Sequence, residues 1–330
     1  MRYFKIKATG KYLPETILFS QEIEIKMGYP AGSIMKSSGI MQRYIVTNQS
    51  TAYMAAQASF DALRRAGLQP EDLGCIVSAC GVGQQAIPAT ACLIQKELGL
   101  HDSGIPAFDI NSTCLSFLTA LDVCSCMLSG SRYENILIVS SDMPSIALNQ
   151  DDFESSTIFG DGAATMIISP AQDEFASKIL ASSMETYSSG SSYCKIQGGG
   201  TQLHPTRFKQ DITPYYFFEM DGKALYRLTL QYIDDFLKKL LDQAELGIDK
   251  VDWIVPHQAS LLAMQHLQKK LKINPEKIIN ILRNHGNQVA ASMPTAFHEG
   301  VITNRFQKGD KILLIGTSAG LSIGGMIIEY

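Results

Sequence analysis

Short, wholly apolar runs recur along this chain between stretches of helical spacing. Cys75 to Val77, Ile136 to Val139, Trp253 to Val255 and Ile312 to Ile315 read as strands buried on both faces. Ahead of the first run, Ala56, Phe60 and Leu63 mark the apolar face of an amphipathic helix. Ahead of the third, Tyr232, Ile233, Phe236, Leu237 and Leu240 do the same. Apolar strands alternating with helices predict an α/β protein of mostly parallel sheets covered on both faces.

The pattern also repeats. Leu68 to Val77 and Leu246 to Val255 are ten-residue cassettes of one design, each following an amphipathic helix and running into a buried strand. Ile76 and Ile254 stand 178 residues apart, and Ile136 and Ile312 stand 176 apart. Two similar offsets predict two αβ halves of the same topology, residues 1–170 and 171–330; chance likeness of short strings is the competing account. Between the halves, Ser169 to Phe218 is rich in Ser, Gly and Tyr and reads as a connection plus surface loop. Its Gly198, Gly199 and Gly200 are not followed by Lys-Ser or Lys-Thr, so they do not form a nucleotide phosphate loop.

Composition narrows the class. A chain of 330 residues, 45% hydrophobic and 18% charged, is that of a soluble globular protein with one large domain or two ordinary ones. A net charge of -4 with no basic stripe argues against nucleic-acid binding. No apolar run reaches membrane-spanning length, and Met1 to Lys7 lacks the apolar core of a signal peptide. Seven cysteines, an odd number, fit free thiols in a reducing cytosol, so a cytoplasmic location is expected. Cys124 and Cys126 are too close for a typical zinc pair and no His or Cys cluster completes a site, so no metal is expected.

Cys114 follows an apolar strand-like run and opens an apolar helical run, Asn111-Ser112-Thr113-Cys114-Leu115-Ser116-Phe117. A thiol at a helix N-terminus meets unpaired N–H groups and the positive end of the helix dipole, both of which favour the thiolate. Alone, it reads more readily as a buried structural cysteine than as a nucleophile. Two further polar clusters follow strand-like runs: Pro256-His257-Gln258-Ala259-Ser260 after Trp253 to Val255, and Asn284 to Ser292, with Asn287, after Ile278 to Leu282. Singly, His257 is a hydrogen-bonded structural residue and Asn287 a turn residue. The glycine-rich end, Gly316 to Gly325, follows another buried strand and offers closely approachable backbone N–H groups. Together a thiolate, an imidazole, a carboxamide and an N–H loop are the parts of an acyl-transfer site.

Over nearly its full length the sequence resembles the β-ketoacyl-acyl-carrier-protein synthase III family of the thiolase superfamily. The resemblance is carried, in order, by Ser38-Gly39-Ile40 with Arg43-Tyr44, Pro106 to Ile110, Phe159-Gly160-Asp161-Gly162-Ala163-Ala164, Met220-Asp221-Gly222, Val255-Pro256-His257-Gln258-Ala259, and His285-Gly286-Asn287 with Ser292. It implies a five-layered αβαβα fold built from two duplicated halves, a homodimer, and acyl-CoA or acyl carrier protein thioesters as substrates, with no cofactor. By the resemblance Cys114 is the acylated nucleophile, His257 and Asn287 stabilise the condensation enolate, and the N–H groups of Cys114 and Ala319 form the oxyanion hole. Gly160-Asp161-Gly162 is a structural turn. Ile87 falls where the family closes the partner's acyl pocket across the dimer interface, or it is ordinary core. Arg227, Lys269 and Lys270 match basic positions that receive the carrier protein, or they form a solvated face.

Three departures bear on substrate. Relatives that take a CoA primer carry a Trp and an Arg where this chain has Ser33 to Ser38, and another Arg near Phe153 to Ser156; ring and arginines are absent here. Each such stacked cation is worth about 0.5–2 kcal/mol, so CoA binding is expected to weaken. Leu262 replaces a basic docking position, and Leu115-Ser116 stands where common members have Ala-Gly. These mark a specialised acyl-transferring relative. The expected reaction is a decarboxylating Claisen condensation with a malonyl thioester. Acyl transfer to another acceptor, a non-decarboxylating condensation in secondary metabolism, and a non-catalytic subunit of a heterodimer are the alternatives.

Overall fold

A computed structural model of the chain describes residues 1–130, 132–171, 176–208 and 210–330. Nine strands form one sheet: β1 Arg2–Tyr12, β2 Cys75–Ser78, β3 Ala107–Asp109, β4 Ile136–Asp142, β5 Gly162–Ser169, β6 Ser177–Thr186, β7 Trp253–Pro256, β8 Lys311–Ser318 and β9 Ser322–Glu329. Their order is β7-β8-β9-β6-β1-β5-β4-β2-β3. Six helices cover it: α1 Thr51–Ala66, α2 Thr90–Glu97, α3 Ser116–Ser129, α4 Gly222–Gln243, α5 Leu261–Leu271 and α6 Ser292–Ile302.

Apart from β3, which has no counterpart, the order reads the same from either end: β2-β4-β5-β1 in the first half matches β7-β8-β9-β6 in the second. In the first half β2 pairs in parallel with β4, with Ile76 opposite Leu137; in the second β7 pairs in parallel with β8, with Ile254 opposite Leu313. β4 and β8 then turn antiparallel into β5 and β9. β1 and β6, the first strand of each half along the chain and the innermost in the sheet, pair antiparallel at the centre through Arg2–Ile179, Tyr3–Lys178 and Phe4–Ser177. Even a bulge is repeated, between Ile6 and Ala8 of β1 and opposite Ile327 and Ile328, where β6 skips from Ile179 to Ala181.

Alternation within the buried strands builds five layers. Ile136 and Ile138 of β4 and Ile312 and Leu314 of β8 pack with Leu118 and Leu121 of α3 and Met293 and Phe297 of α6, which form the middle layer. The intervening Leu137 and Val139 face α1 and α2 outside, through Ala55, Ala56, Leu63 and Ile94. Leu313 and Ile315 face Phe236, Leu237 and Leu240 of α4 and Met264 of α5. Strands of this kind must be apolar at every position, which is why they read as unbroken runs.

Four expectations need correction. The sheet is mixed rather than mostly parallel: only β2–β3, β2–β4 and β7–β8 are parallel pairs. Ser169 to Phe218 is not merely connection and loop, because it contains β6, whose alternating small and polar residues, SKILASSMET, suit a strand half in the core; residues 172–175 and 209 of that segment lie outside the described residues. Phe60 is 39% exposed and off the buried face of α1, which is made mostly of alanines with Met54, Ser59 and Leu63. Ile278 to Leu282 forms no strand; Ile278 makes an isolated bridge to Ile254, and Leu282–His285 is a short helix.

Candidate active site

Cys114 sits in a 3-10 turn, Thr113–Leu115, that feeds α3. The turn is shaped by side chains on either side: Asn111 Oδ1 accepts the Thr113 N–H at 2.8 Å, and Ser116 Oγ accepts the Ser112 N–H at 2.9 Å. Thr113 is forced to a φ of 50°, a left-handed conformation unusual for a β-branched residue. Leu115 is fully buried, filling the space left by two glycines: a Cβ on Gly316 or Gly324 would lie 3.2 or 3.0 Å from its side chain.

His257 follows the last residue of β7, its N–H donating to the Ile315 carbonyl at 2.8 Å. Gln258 pins the segment, donating to the Pro256 and Ile279 carbonyls at 2.8 and 3.1 Å and accepting from the Ile281 N–H at 3.0 Å. Gly316 lets β8 approach, since a Cβ there would lie 2.6 Å from that of His257.

Asn287 is held where two motifs interlock. Its N–H donates to the Ile158 carbonyl at 2.8 Å, and its carbonyl accepts from the Gly160 N–H at 3.1 Å. Gly286 has a φ of 69°, and a Cβ at Gly160 would lie 2.2 Å from the His285 carbonyl oxygen, so the crossing demands both glycines. Asn287 Oδ1 accepts the Val289 N–H at 2.9 Å, leaving Nδ2 with only a 3.4 Å contact to the Ala259 carbonyl.

Cys114, His257, Asn287 and Ala319 line one cavity of about 910 Å3. The N–H groups of Ala319 and of Cys114 itself point at the sulfur and favour its charged form. Burial outweighs them and, with the charge of Asp142, pushes the thiol up to about 12. The expectation of a favoured resting thiolate is thus corrected: Cys114 precedes the α-helix by a tight turn, and desolvation of its half-buried thiol outweighs the two N–H groups. Burial drives His257 down to about 4, so its imidazole is neutral, and its Nδ1 is buried without a partner. Of the glycine-rich end, only Ala319 turns its N–H to the thiol; Gly316, Gly324 and Gly325 serve close packing instead.

The remaining candidates lie outside the core of the site. Ile87 is 86% exposed and does not line this chain's cavity. Arg227 and Lys269 are exposed on α4 and α5, while Lys270 lines the cavity and pairs with Asp234. Asp161 accepts from Val46 N–H and Ser145, a structural role. Among the described residues no three His, Cys, Asp or Glu gather as a metal site, and no helix is long and apolar enough to cross a membrane.

Sequence reasoning missed two features. One is Asp142, buried beside the cavity. The other is that Asn287 and Ser292 repeat Asn111 and Ser116 at an offset of 176 residues, with the same hydrogen bonds: the Ser292 Oγ accepts the Gln288 N–H at 2.9 Å. That five-residue spacing was visible in the chain.

A thiol, paired N–H donors, a neutral imidazole and a carboxamide share one cavity of a duplicated αβαβα fold, the fold of thiolase-like acyltransferases. The family pattern described as 3-oxoacyl-(acyl-carrier-protein) synthase III matches residues 108–188, and that for its C terminal matches residues 241–330. Beta-ketoacyl-(acyl-carrier-protein) synthase III of Vesicomyosocius okutanii is 31% identical over all of this chain and 99% of its own length. The enzyme of that name from Aquifex aeolicus is 31% identical over 99% of both chains. The crystal structure of the Aquifex aeolicus 3-oxoacyl synthase III superposes with a TM-score of 0.89 at 30% identity, covering 99% of this chain and 100% of that one. Xanthomonas campestris OleA, 20% identical, shares the fold with a TM-score of 0.87 over 100% of this chain and 98% of that one. The chain belongs to the beta-ketoacyl-(acyl-carrier-protein) synthase III family.

Proposed function

We propose that this protein joins an acyl group to a malonyl unit through a covalent Cys114 thioester. The Cys114 sulfur attacks the thioester carbonyl of the donor, its proton passes to the departing thiol, and the N–H groups of Cys114 and Ala319 hold the tetrahedral oxyanion. A malonyl thioester then loses CO2. The resulting enolate oxygen takes hydrogen bonds from His257 and Asn287 Nδ2, and its carbon attacks the acyl carbonyl, releasing the β-keto thioester and the Cys114 thiolate, which takes up a proton from water. A neutral His257 suits this role: with Nδ1 unpartnered, the cheaper tautomer carries the proton on Nε2 and leaves it as a donor. The observation that carries the reading is the Ala319 N–H aimed at the Cys114 sulfur in a cavity shared with His257 and Asn287.

Residues 1–170 and 171–330 are read as the two halves, one bringing Cys114 and the other His257 and Asn287. A homodimer fits the exposure of Val82, Ile87 and Ile146, at 60%, 86% and 70%, with Ile87 reaching the partner's cavity. Seven unpaired cysteines fit a reducing cytosol. The donor side favours carrier protein over CoA. Among the described residues no arginine lines the cavity, and of its three lysines Lys195 pairs with Glu219 and Lys270 with Asp234, which leaves Lys223 as the one lining cation without an ion pair.

Intact-protein mass spectrometry tests the reading. Acyl donors on CoA and on carrier protein should add one acyl mass, absent in Cys114→Ala, which malonyl carrier protein then removes. An adduct indifferent to malonyl carrier protein points to another acceptor. Full turnover by Cys114→Ala overturns the assignment.

A further inference from the structure

Asp142 takes no part in the steps above, yet it joins the turns that carry them. It is buried at the end of β4 and lines the thiol cavity. Oδ1 accepts the Gly81 N–H at 2.7 Å and Oδ2 the Ala291 N–H at 3.2 Å, with the N–H groups of Val82 and Ala290 directed at the same carboxyl. Ala290 is the counterpart of Cys114 in the repeated turn, 176 residues on. The same turn therefore offers its amides to a negative charge in both halves of the molecule. In the first half they face the thiol, where an oxyanion forms only during reaction. In the second they are occupied by the carboxyl group of Asp142 itself.

The carboxylate also reaches back to the nucleophile. Gly81, held by Oδ1, accepts from Asn111 Nδ2 at 3.0 Å, and Asn111 in turn fixes the Thr113 N–H. Gly81 lies hard against the other turn as well, since a Cβ there would lie 2.5 Å from Val289 Cγ1. A buried carboxyl gripped by backbone donors from segments 61 and 149 residues away is a rigid tie between parts that nothing in the local chain holds together.

We propose that Asp142 is a positioning residue for the condensation step, fixing the Asn287 turn at its working distance from the Cys114 thioester. The inference rests on the functional reading above. Acylation needs Cys114 and the Ala319 N–H, which Asp142 reaches only through Gly81 and Asn111; an asparagine at 142 keeps the oxygen that holds Gly81 and loses the one that holds Ala291. Condensation needs Asn287 placed as well. Removing the carboxylate charge does not handicap acylation, because that charge is one of the causes that hold the thiol protonated.

The test separates the two half-reactions in Asp142→Asn: single-turnover acylation by intact mass, and discharge of the acyl-enzyme by malonyl carrier protein. Acylation is expected to be kept or faster, while discharge slows about 100-fold, the scale of a misplaced catalytic group. In an Asn287→Ala background the same substitution should cost nothing further, since it acts through Asn287. Unchanged discharge, a proportional fall in both steps, or losses that multiply in the double variant would each overturn the proposal. If Asp142→Asn does not fold, Asp142→Glu retains the carboxylate but displaces the turn, and the same selective loss is expected, smaller in size. A wild type that acylates but never discharges overturns the functional reading and this inference with it; normal discharge in both proteins overturns this inference alone.

Discussion

Asn111 and Asn287 are the same residue of a duplicated turn: each side-chain oxygen accepts the backbone N–H two residues on, from Thr113 at 2.8 Å and Val289 at 2.9 Å. Both recipients are β-branched and both are held at positive φ, 50° and 51°. Strain of this kind, of order 1–3 kcal/mol per residue, persists only where the surroundings fix it. In the first half the turn shapes the nucleophile, and in the second it leaves Asn287 Nδ2 facing the cavity.

The two asparagines should therefore fail differently. Asn111→Ala releases the Thr113 N–H and the Gly81 carbonyl and is expected to slow acylation of Cys114 by about 10-fold or more, as loss of a positioned donor does. Asn287→Ala should leave acylation near wild type and slow discharge of the acyl-enzyme by about 100-fold. Single-turnover mass spectrometry measures both, and equal effects on the same step would refute the division of labour.

Much of this arrangement was open to sequence reasoning, and the reasons it stopped are physical. The parallel strands β2, β4, β7 and β8 announce themselves because both of their faces are buried. β6 does not, although it lies at the centre of the sheet beside β1: Ser177, Ser182 and Ser183 break its apolar run, and its outer end is exposed. The three site residues follow strand ends or tight turns, where motif and chemistry coincide. Asp142 was invisible because a carboxylate closing an apolar strand reads as a solvated cap, and its partners are backbone amides far along the chain.

Acid should loosen the protein. Burial holds His257 and His298 neutral, pushing each from 6.5 down to about 4, and lowers His285 as well. The unfolded chain takes up these protons as pH drops below about 6.5, whereas the folded protein resists until about 4. Their contribution is present above pH 6.5 and is lost as pH falls toward 4, at about 1.4 kcal/mol per pH unit for a group such as His257. Asp142 opposes this: raised from 3.8 to about 7, it favours the folded state at low pH, and that contribution is lost as pH rises through 7. Asp161 and Glu154, which burial also raises, act in Asp142's direction by smaller amounts, while His257 and His298 both act across the whole range, so urea midpoints should rise from pH 4.5 to 6.5. His298→Gln, which removes the ring facing Thr9 Oγ1 at 2.9 Å, should flatten the rise. A midpoint that falls across this range would contradict the assignment.

Gly316→Ala tests how tightly the imidazole is seated. The added methyl would lie 2.6 Å from His257 Cβ, in a strand that cannot retreat without breaking its register with β7 and β9. Overpacking of this kind costs about 1–3 kcal/mol. A lower melting temperature is expected together with slower condensation, because the strain falls on His257 itself. Wild-type stability and rate in this variant would mean that the two backbones are farther apart than described.

The basic residues of α4 and α5 divide in the same way. Lys270 bridges to Asp234 across the two helices, a partly exposed pair worth about 0–1 kcal/mol, so Lys270→Ala should trim stability slightly and change donor use little. Arg227 and Lys269 are exposed and make no ion pair among the described residues. Charge reversal there, Arg227→Glu with Lys269→Glu, should slow acylation by an acyl carrier protein, with the deficit shrinking as salt is raised, since long-range attraction is screened beyond about 10 Å at 0.1 M. A small acyl-pantetheine thioester carries no acidic surface and should acylate both proteins at the same rate. Equal loss with both donors would place Arg227 and Lys269 in the fold rather than on a docking face.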